Sequence, residues 1–195
     1  MISADRFIAS KAYNEDDWLE ARREGLTATT MAKAMTPAGY REVVDTWMDT
    51  TPVPVNEYMR FGLDHEPWLA LWSKEQFGTM PNDWLIRHET NDTALATPDG
   101  LSLDHAAILE IKTTGKDWAK PPVNYMRQVQ WQLYVTGAKE CYFVWLLREE
   151  HEGRFVPAWL DPKYTVIERD ETMIADMVYT AHDLWRDLRG EYSVW

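Results

Sequence analysis

The sequence predicts an α/β domain in which helices precede and follow a central β-sheet. Three observations support this class: helical apolar patterns occupy residues 16–78, apolar runs of strand length occur between residues 84 and 168, and an amphipathic helical pattern follows them. A chain of 195 residues, 45% of them hydrophobic, is long enough to bury a sizeable core. This length and composition suit one compact domain, and we expect a single domain over residues 1–195.

The first part of the chain is predicted to be helical. Two helical stretches fall within residues 16–35, with a break near Gly25, and another short helix is expected at 40–49. Residues 56–78 have the apolar spacing of a long helix that ends at its terminal glycine. Pro67 lies inside this stretch, so it either kinks the helix or marks the first turn of a second one.

The remaining segments are predicted to be mainly strands with two further helices. A turn at Asn91-Asp92 joins the first two strands, and another turn is expected over residues 149–153. In chain order, the predicted elements are strands at 84–89, 94–97 and 107–112, a helix at 124–136, strands at 141–147, 155–160 and 164–168, and a final helix capped by Asp170.

Composition excludes several classes of protein. No apolar run approaches the length of a membrane span, and the N-terminus lacks the apolar core of a signal peptide. We therefore expect a soluble protein of the cytoplasm, the host cytoplasm if a phage encodes it. The single cysteine, Cys141, excludes a disulfide framework or a cysteine-ligated metal cluster within one chain, and we expect it to be a core residue.

The charge distribution is uneven. The formal net charge is −12, and such an acidic surface should repel DNA at long range. Residues 112–139, however, contain five basic residues and one acidic residue, whereas residues 149–195 contain eleven acidic and five basic ones. Positive charge is thus concentrated beside the candidate site described next.

A candidate metal site lies within residues 97–114. Asp99 follows a proline and precedes a glycine, which predicts a turn, and a short apolar run ending in Glu110, Ile111 and Lys112 predicts a buried strand. Alternation along the strand puts Glu110 and Lys112 on one face. If the turn folds back over the strand, Asp99, Glu110 and the Ile111 carbonyl suit Mg²⁺. Lys112 can then orient or deprotonate an attacking water.

Each of these features also has an ordinary structural explanation. A Glu-x-Lys at a strand end is often a solvated edge with a cross-strand ion pair, and Pro-Asp-Gly alone is a turn. Glu66, beside the irregularity at Pro67, can present a third carboxylate, although a solvated helical glutamate is its default role. Gln128 and Gln132 are four residues apart and therefore project from one face of their helix.

The segment that contains Arg22 and Thr29 has two explanations. Thr27 can cap the second helix, and a helix N-terminus with nearby arginines is a phosphate site. Alternatively, the segment is an amphipathic helix with its arginines in water and its threonines capping. Composition alone favours the second explanation.

Six groups of residues occur in a characteristic order along almost the whole chain. They are Trp18 with Arg22 and Leu26-Thr27-Ala28-Thr29; Phe61-Gly62 with Glu66; Thr97-Pro98-Asp99-Gly100-Leu101; Leu109-Glu110-Ile111-Lys112; Tyr125-Met126 with Gln128-Val129-Gln130; and Val166-Ile167-Glu168-Arg169-Asp170-Glu171. In this order they resemble the phage lambda exonuclease family, the YqaJ-type viral recombinase nucleases of the PD-(D/E)XK superfamily.

The resemblance implies a restriction-endonuclease-like core, with a central mixed β-sheet flanked by α-helices. It also implies two Mg²⁺ ions, for which Mn²⁺ can substitute. The resemblance implies that Asp99, Glu110 and the Ile111 carbonyl bind the metal ions and that Lys112 assists the attacking water. It implies that Glu66 supports a metal ion through a water and that Gln128 lies near the site. It also implies that Arg22 and Thr29 bind the 5′ phosphate, with Thr29 in place of a more typical serine.

Members of this family digest one strand of duplex DNA from a 5′ end. The resemblance therefore implies a 5′–3′ exonuclease that resects linear double-stranded DNA from 5′-phosphorylated ends. Its expected partners are DNA ends, a single-strand annealing protein and further copies of the chain in a trimeric ring. The chain is short for the family, which makes the ring less secure than the chemistry.

Two alternatives remain open at this point. The same metal site serves a restriction-like or structure-specific endonuclease, which would also cut circular duplex. The charge of −12 suits an acidic DNA-mimic or interaction protein, which would show no magnesium-dependent cleavage. The intact set of Asp99, Glu110 and Lys112 argues against that second alternative.

Overall fold

The computed structural model describes residues 1–51, 53–159 and 161–190. The helices are α1 (Glu15–Arg23), α2 (Ala28–Ala34), α3 (Pro37–Thr46), α4 (Glu57–Phe77), α5 (Val123–Thr136) and α6 (Glu171–Leu188). The strands are β1 (Phe7–Ser10), β2 (Thr79–Pro81), β3 (Trp84–Arg87), β4 (Leu95–Ala96), β5 (Gly100–Ser102), β6 (Ala107–Thr114), β7 (Glu140–His151), β8 (Arg154–Pro157) and β9 (Lys163–Glu168). None of the described helices combines the length and hydropathy that crossing a bilayer requires.

A mixed sheet forms the centre of the molecule and confirms the predicted α/β class. Its strand order is β2-β5-β6-β7-β8, and β9 pairs with the first half of β7. β6 and β7 are parallel and are connected by α5, as a parallel pair requires a crossover. The other ladders of this sheet are antiparallel. β1, β3 and β4 form a smaller antiparallel sheet.

Apolar clusters cover both faces of β6. The larger cluster packs Ile108 against residues of α5, and the smaller one packs Leu109 and Ile111 against residues of α4. Successive strand residues point to opposite faces, so the side chains before and after Ile111 face α5. The predicted alternation around Ile111 is therefore confirmed.

The helix α4 is continuous through Pro67. Asn56 caps its start, because Asn56 Oδ1 accepts a hydrogen bond from the Met59 N–H at 2.9 Å. Gly78 ends it with a φ of +71°, a left-handed conformation that glycine adopts without a steric penalty. The predicted possibility of two separate helices is wrong, and the 21-residue helix instead presents one long face to the sheet.

A close backbone approach determines the break between α1 and α2. A Cβ atom on Gly25 would lie 2.4 Å from the Thr93 carbonyl oxygen, so only glycine fits there. Next to it, the Leu26 carbonyl accepts a hydrogen bond from the buried Trp131 indole at 3.1 Å. This bond attaches the junction between α1 and α2 to α5.

Other differences from the predicted elements are local. β1, β2 and β5 were not predicted, because strands of three or four residues are too short to show alternation. β7 continues to His151, so the turn expected over 149–153 contracts to Glu152 and Gly153, both with positive φ. The strand expected at 155–160 is β8, which ends at Pro157, and Leu160 lies outside the described residues.

Candidate active site

The turn at Asp99 folds back over the end of β6. The Asp99 N–H donates to the Leu109 carbonyl at 3.0 Å, and Asp99 Oδ2 accepts a hydrogen bond from the Ile111 N–H at 2.6 Å. The Asp99 carbonyl accepts a further hydrogen bond from the Asn82 N–H at 3.0 Å. These bonds hold the Asp99 carboxylate beside the strand that carries Glu110.

Glu110 is a buried carboxylate with only 1% of its surface exposed. Its Oε1 accepts hydrogen bonds from Lys112 Nζ and from Gln128 Nε2, the latter at 2.5 Å. Its Oε2 accepts one from Gln132 Nε2 at 2.7 Å. A buried charge is tolerated when it is paired and hydrogen-bonded, and these three donors meet both requirements.

The two glutamines reach Glu110 because they are one turn apart on α5. Gln132 is 1% exposed, and its Oε1 has no hydrogen-bond partner among the described residues. The only bond of this amide that the structure shows is therefore the one to Glu110. The spacing of Gln128 and Gln132 was visible in the sequence, but the contact of Gln132 with Glu110 was not predicted.

The environment of the site raises the pKa of both Asp99 and Lys112. Burial, together with the repulsion from Glu110, raises the pKa of Asp99 well above its ordinary value. Burial lowers the pKa of Lys112, but the carboxylates of Glu110 and Asp99 outweigh burial and raise it overall. Lys112 is therefore an ammonium at neutral pH, able to donate hydrogen bonds and to counter negative charge.

Two cavities adjoin these residues. One, of about 500 Å³, is lined by residues that include Glu66, Asp99 and Ile111. The other, of about 380 Å³, is lined by residues that include Glu66, Ile111 and Lys112. Glu66 projects from α4, is exposed, and lines the first cavity together with Asp99.

The donor atoms of the site fit Mg²⁺. Asp99 and Glu110 repel each other, and Lys112 alone supplies a positive charge between them. Two carboxylates and a backbone carbonyl are oxygen ligands that Mg²⁺ prefers, with water and substrate phosphate able to complete its octahedral shell. The described residues contain no cluster of three or more carboxylate, histidine or cysteine side chains that could hold an ion. The action of Glu66 through a water stays a prediction.

Arg22 and Thr29 form a separate group. They lie on α1 and α2, outside the lining of both cavities. The Arg22 guanidinium lies 4.4 Å from the centre of the Trp18 ring, and burial lowers its pKa. Thr29 is exposed, while Thr27 caps α2 as predicted by accepting from the Thr30 N–H at 3.4 Å. The structure thus brings together the residues around Glu110, while Arg22 and Thr29 line neither of the two cavities.

Asn82 is a residue of the site that the sequence did not indicate. Its Nδ2 donates to the Pro98 carbonyl at 2.8 Å and to the Trp84 carbonyl at 3.1 Å, while its backbone N–H bonds to Asp99. It therefore fixes the chain on both sides of the Asp99 carboxylate. An asparagine between two short strands ordinarily indicates only a turn, so no signal of this role was available.

Comparisons with known proteins identify relatives of this chain. The family model of the YqaJ-like viral recombinase domain matches residues 17–139. The uncharacterized protein YqaJ of Bacillus subtilis (strain 168) is 30% identical over 200 residues, which cover 94% of this chain and 59% of that protein. The chain thus spans about 59% of the length of this curated relative.

Several solved structures share the fold, among them three that are described as exonucleases. An alkaline exonuclease (LHK-Exo) from Laribacter hongkongensis matches with a TM-score of 0.75 and 27% identity, over 90% of this chain and 93% of that one. Its complex with dAMP matches with a TM-score of 0.73. A phage-related exonuclease from Haemophilus somnus 129PT, at 14% identity, a TM-score of 0.63 and 87% and 96% coverage, shares the fold.

The matched segment contains both parts of the candidate site. Residues 17–139 include Arg22 and Thr29 as well as Asp99, Glu110 and Lys112. They also cover most of the elements that position these side chains, from α1 to the end of α5. The chain belongs to the family of YqaJ-like viral recombinase domains.

Proposed function

We propose that this chain is a Mg²⁺-dependent 5′–3′ exonuclease that resects linear double-stranded DNA from 5′-phosphorylated ends and leaves a 3′ single strand. The observation that carries the proposal is the buried Glu110 carboxylate, which is held by Lys112 and two amides while Asp99 and Lys112 line the two adjoining cavities. The two carboxylates carry more negative charge than the single ammonium of Lys112 neutralises, and a bound cation would offset that excess. The 27% identity to a solved exonuclease over nearly the whole chain supports the same class of reaction.

The carboxylates are proposed to bind two Mg²⁺ ions, which Mn²⁺ can replace. Asp99, Glu110 and the Ile111 carbonyl would hold them, and Glu66 would act through a water from across the cavity. When bound, the ions supply Lewis-acid activation of the phosphate and of the attacking water.

The other residues prepare the site for this chemistry. Lys112 is an ammonium whose charge can offset the negative charge that develops on the phosphoryl oxygens. Gln128 fixes the Glu110 oxygen that Lys112 also contacts, and Gln132 fixes the other oxygen. Glu110 therefore has one defined orientation before substrate binds, which avoids a reorganisation cost during reaction.

Arg22 and Thr29 are proposed to bind the 5′ phosphate. Trp18 holds the Arg22 guanidinium in place, and burial makes that charge more effective toward a phosphate. The Thr29 hydroxyl is exposed and free to donate a hydrogen bond. These two residues distinguish an end-selecting enzyme from one that cuts internally.

The assembly and its partners are further parts of the proposal. A homotrimeric ring would surround the duplex with the basic segment 112–139 of every subunit, which would compensate for the overall charge of −12. A single-strand annealing protein would take up the exposed 3′ strand. We place the reaction in the host cytoplasm if a phage encodes the protein.

Digestion of three DNA substrates tests the proposal. Purified protein with Mg²⁺ is incubated with linear duplexes that carry a 5′ phosphate or a 5′ hydroxyl and with a closed circular duplex. We expect the phosphorylated linear duplex to be degraded fastest and the circle to be resistant. Equal digestion of all three substrates would favour an endonuclease with the same metal site. If none of the substrates is digested, the result would favour an acidic DNA-mimic or interaction protein.

The variant Lys112→Ala provides the matched control for that assay. It is expected to lose cleavage while its circular dichroism spectrum stays unchanged, because only the ammonium is removed. A folded variant with unchanged activity would place the cutting centre elsewhere.

A further inference from the structure

Arg148 is a cation without a carboxylate partner at the edge of the candidate active site. It lies on β7, where its side chain is half-buried. No ion pair joins it to a carboxylate within the described ranges of the chain. In a protein of net charge −12, an arginine left unpaired at such a position calls for an explanation.

Two aromatic rings hold the Arg148 guanidinium in place. It lies 4.7 Å from the centre of the Tyr58 ring and 5.5 Å from that of Phe155, and the two rings are themselves 5.0 Å apart. Contacts with ring faces fix a guanidinium while leaving its N–H groups able to bind an anion. Tyr58 is 55% exposed, so this arrangement is accessible from solvent.

The position of Arg148 connects it to the cutting centre. In the parallel register Thr114 pairs with Leu147, so Arg148 lies one residue beyond the end of the strand that carries Lys112. A Cβ atom on Gly115 would lie 3.9 Å from Arg148 Nη2, which places the guanidinium against the loop that follows this strand. Tyr58, which contacts Arg148, also lines the cavity of about 380 Å³ that contains Lys112.

The surrounding charges favour an anion at Arg148 over other positions nearby. A neighbouring cavity of about 270 Å³ contains Arg60 and Arg154, but Glu57 and Asp64 line it too and balance their charge. Beyond Arg148 the hairpin is acidic, with Glu149, Glu150 and Glu152 exposed. These glutamates repel phosphate, so a DNA strand is confined to the side of Arg148 that faces Tyr58 and the active-site cavity.

We propose that Arg148 binds a phosphate of the DNA backbone next to the cutting centre. The identity of the ligand rests on the proposed nuclease function. A guanidinium held in one orientation can donate two parallel hydrogen bonds to a phosphate, and such contacts set the register of a nucleic acid without reading its sequence. Arg148 is thus a substrate-binding residue that acts beside the metal site.

Salt-dependent DNA binding by Arg148→Met tests the proposal. Anisotropy of a fluorescent linear duplex is measured without divalent metal, between about 50 and 200 mM salt. We expect binding about tenfold weaker, which corresponds to about 1.4 kcal/mol, because a charge-assisted hydrogen bond to phosphate is lost. We also expect the slope of log affinity against log salt to become shallower by about 0.9, the value for one phosphate contact.

The matched control is Arg186→Met. Arg186 already pairs with Asp183 at 3.1 Å on α6, so its loss should leave affinity and slope unchanged. Tyr58→Leu keeps the Arg148 charge but removes its supporting ring, and we expect weaker binding with a nearly unchanged slope. If Arg148→Met does not fold, the slope of log affinity against log salt is measured with Arg148→Gln.

A folded Arg148 variant with the affinity and slope of the unmodified protein would overturn the proposal and make Arg148 a packing residue of the hairpin. Because binding is measured without cleavage, this outcome is separate from failure of the nuclease function. Absence of Mg²⁺-dependent digestion by the unmodified protein would refute that function, whereas the change in slope would still report the phosphate contact.

Discussion

Gln132 Nε2 donates a hydrogen bond of 2.7 Å to Glu110 Oε2 in the interior of the protein. Both residues are 1% exposed, and Gln132 Oε1 lacks a partner within the described part of the chain. An unpaired buried oxygen costs free energy, roughly 1–3 kcal/mol. The cost of burying Gln132 is explained if its amide group orients a carboxylate that binds a metal ion.

Gln132→Leu should therefore impair activity more than stability. It removes the donor to Glu110 but also removes the unpaired oxygen, so we expect a small change in the free energy of unfolding. Residues that orient metal ligands typically contribute about 10–100-fold to metal affinity or activity, and we expect a loss of that size. The measurement is the Mg²⁺ concentration that gives half-maximal cleavage.

Gln130→Leu is the matched control for Gln132→Leu. Gln130 is equally buried on α5 but bonds to the Glu168 carbonyl and the Asp170 N–H instead of Glu110. Its loss should destabilise the fold by about 1–3 kcal/mol and leave the Mg²⁺ dependence unchanged. An unchanged Mg²⁺ dependence in Gln132→Leu would contradict the positioning role.

Asn82→Ala should lower the rate of cleavage by loosening the Asp99 turn. It removes the bonds to the Pro98 and Trp84 carbonyls, while leaving every charge of the site in place. Since a small displacement of a catalytic group can cost about 100-fold, we expect kcat to fall with little change in KM for DNA. Asn91→Ala, which loosens a different turn by removing the bond to the Thr93 N–H, should cleave normally.

Arg22→Ala should reduce the preference for phosphorylated ends. The measured quantity is the ratio of degradation rates for 5′-phosphorylated and 5′-hydroxyl linear duplexes. One charged contact to phosphate contributes about 1.5–3 kcal/mol, so the ratio should fall about tenfold or more. Arg23→Ala is the control, because Arg23 is exposed and adjacent in sequence. A ratio unchanged by Arg22→Ala would remove Arg22 from the phosphate site.

His88 should make the protein less stable in mild acid. Burial lowers the pKa of His88 below its ordinary value of 6.5, with Arg6 adding to the effect, and its Nδ1 accepts the N–H groups of Thr90 and Asn91. The unfolded chain therefore binds more protons, and stability falls as the pH drops below about 6.5. Urea unfolding at several pH values should show a shallower pH dependence for His88→Phe, which keeps the stacking on Tyr134. The same dependence in both proteins would refute this assignment.

The long elements and the centre of the site followed from local sequence signals. The apolar spacing of α4, its cap Asn56 and its terminal Gly78 are all sequence-encoded, and so is the alternation that separates Ile111 from Glu110 and Lys112. Pro-Asp-Gly predicted the turn at Asp99, and the structure brings this turn over the strand. These features depend on residues that are close together in the chain.

The features that escaped prediction depend on distant partners. β2 is a strand because it pairs with β5. Asn82 belongs to the site because its side chain donates a hydrogen bond to the Pro98 carbonyl, 16 residues away in the chain. Arg148 lies far in sequence from Tyr58, and no local pattern relates the two residues. The roles of Arg22 and Thr29 stay predictions, because what points to them is the family resemblance rather than a contact with the carboxylates.

The measurement that tests the central claim most directly is Mg²⁺-dependent degradation of a 5′-phosphorylated linear duplex by Asp99→Asn. The substitution preserves the shape of the side chain and removes its repulsion from Glu110, so the folded state should be retained. A metal ligand contributes several kcal/mol, so we predict a loss of activity of about 1000-fold or more. A folded Asp99→Asn protein that degrades the duplex at the rate of the unmodified protein would contradict the account.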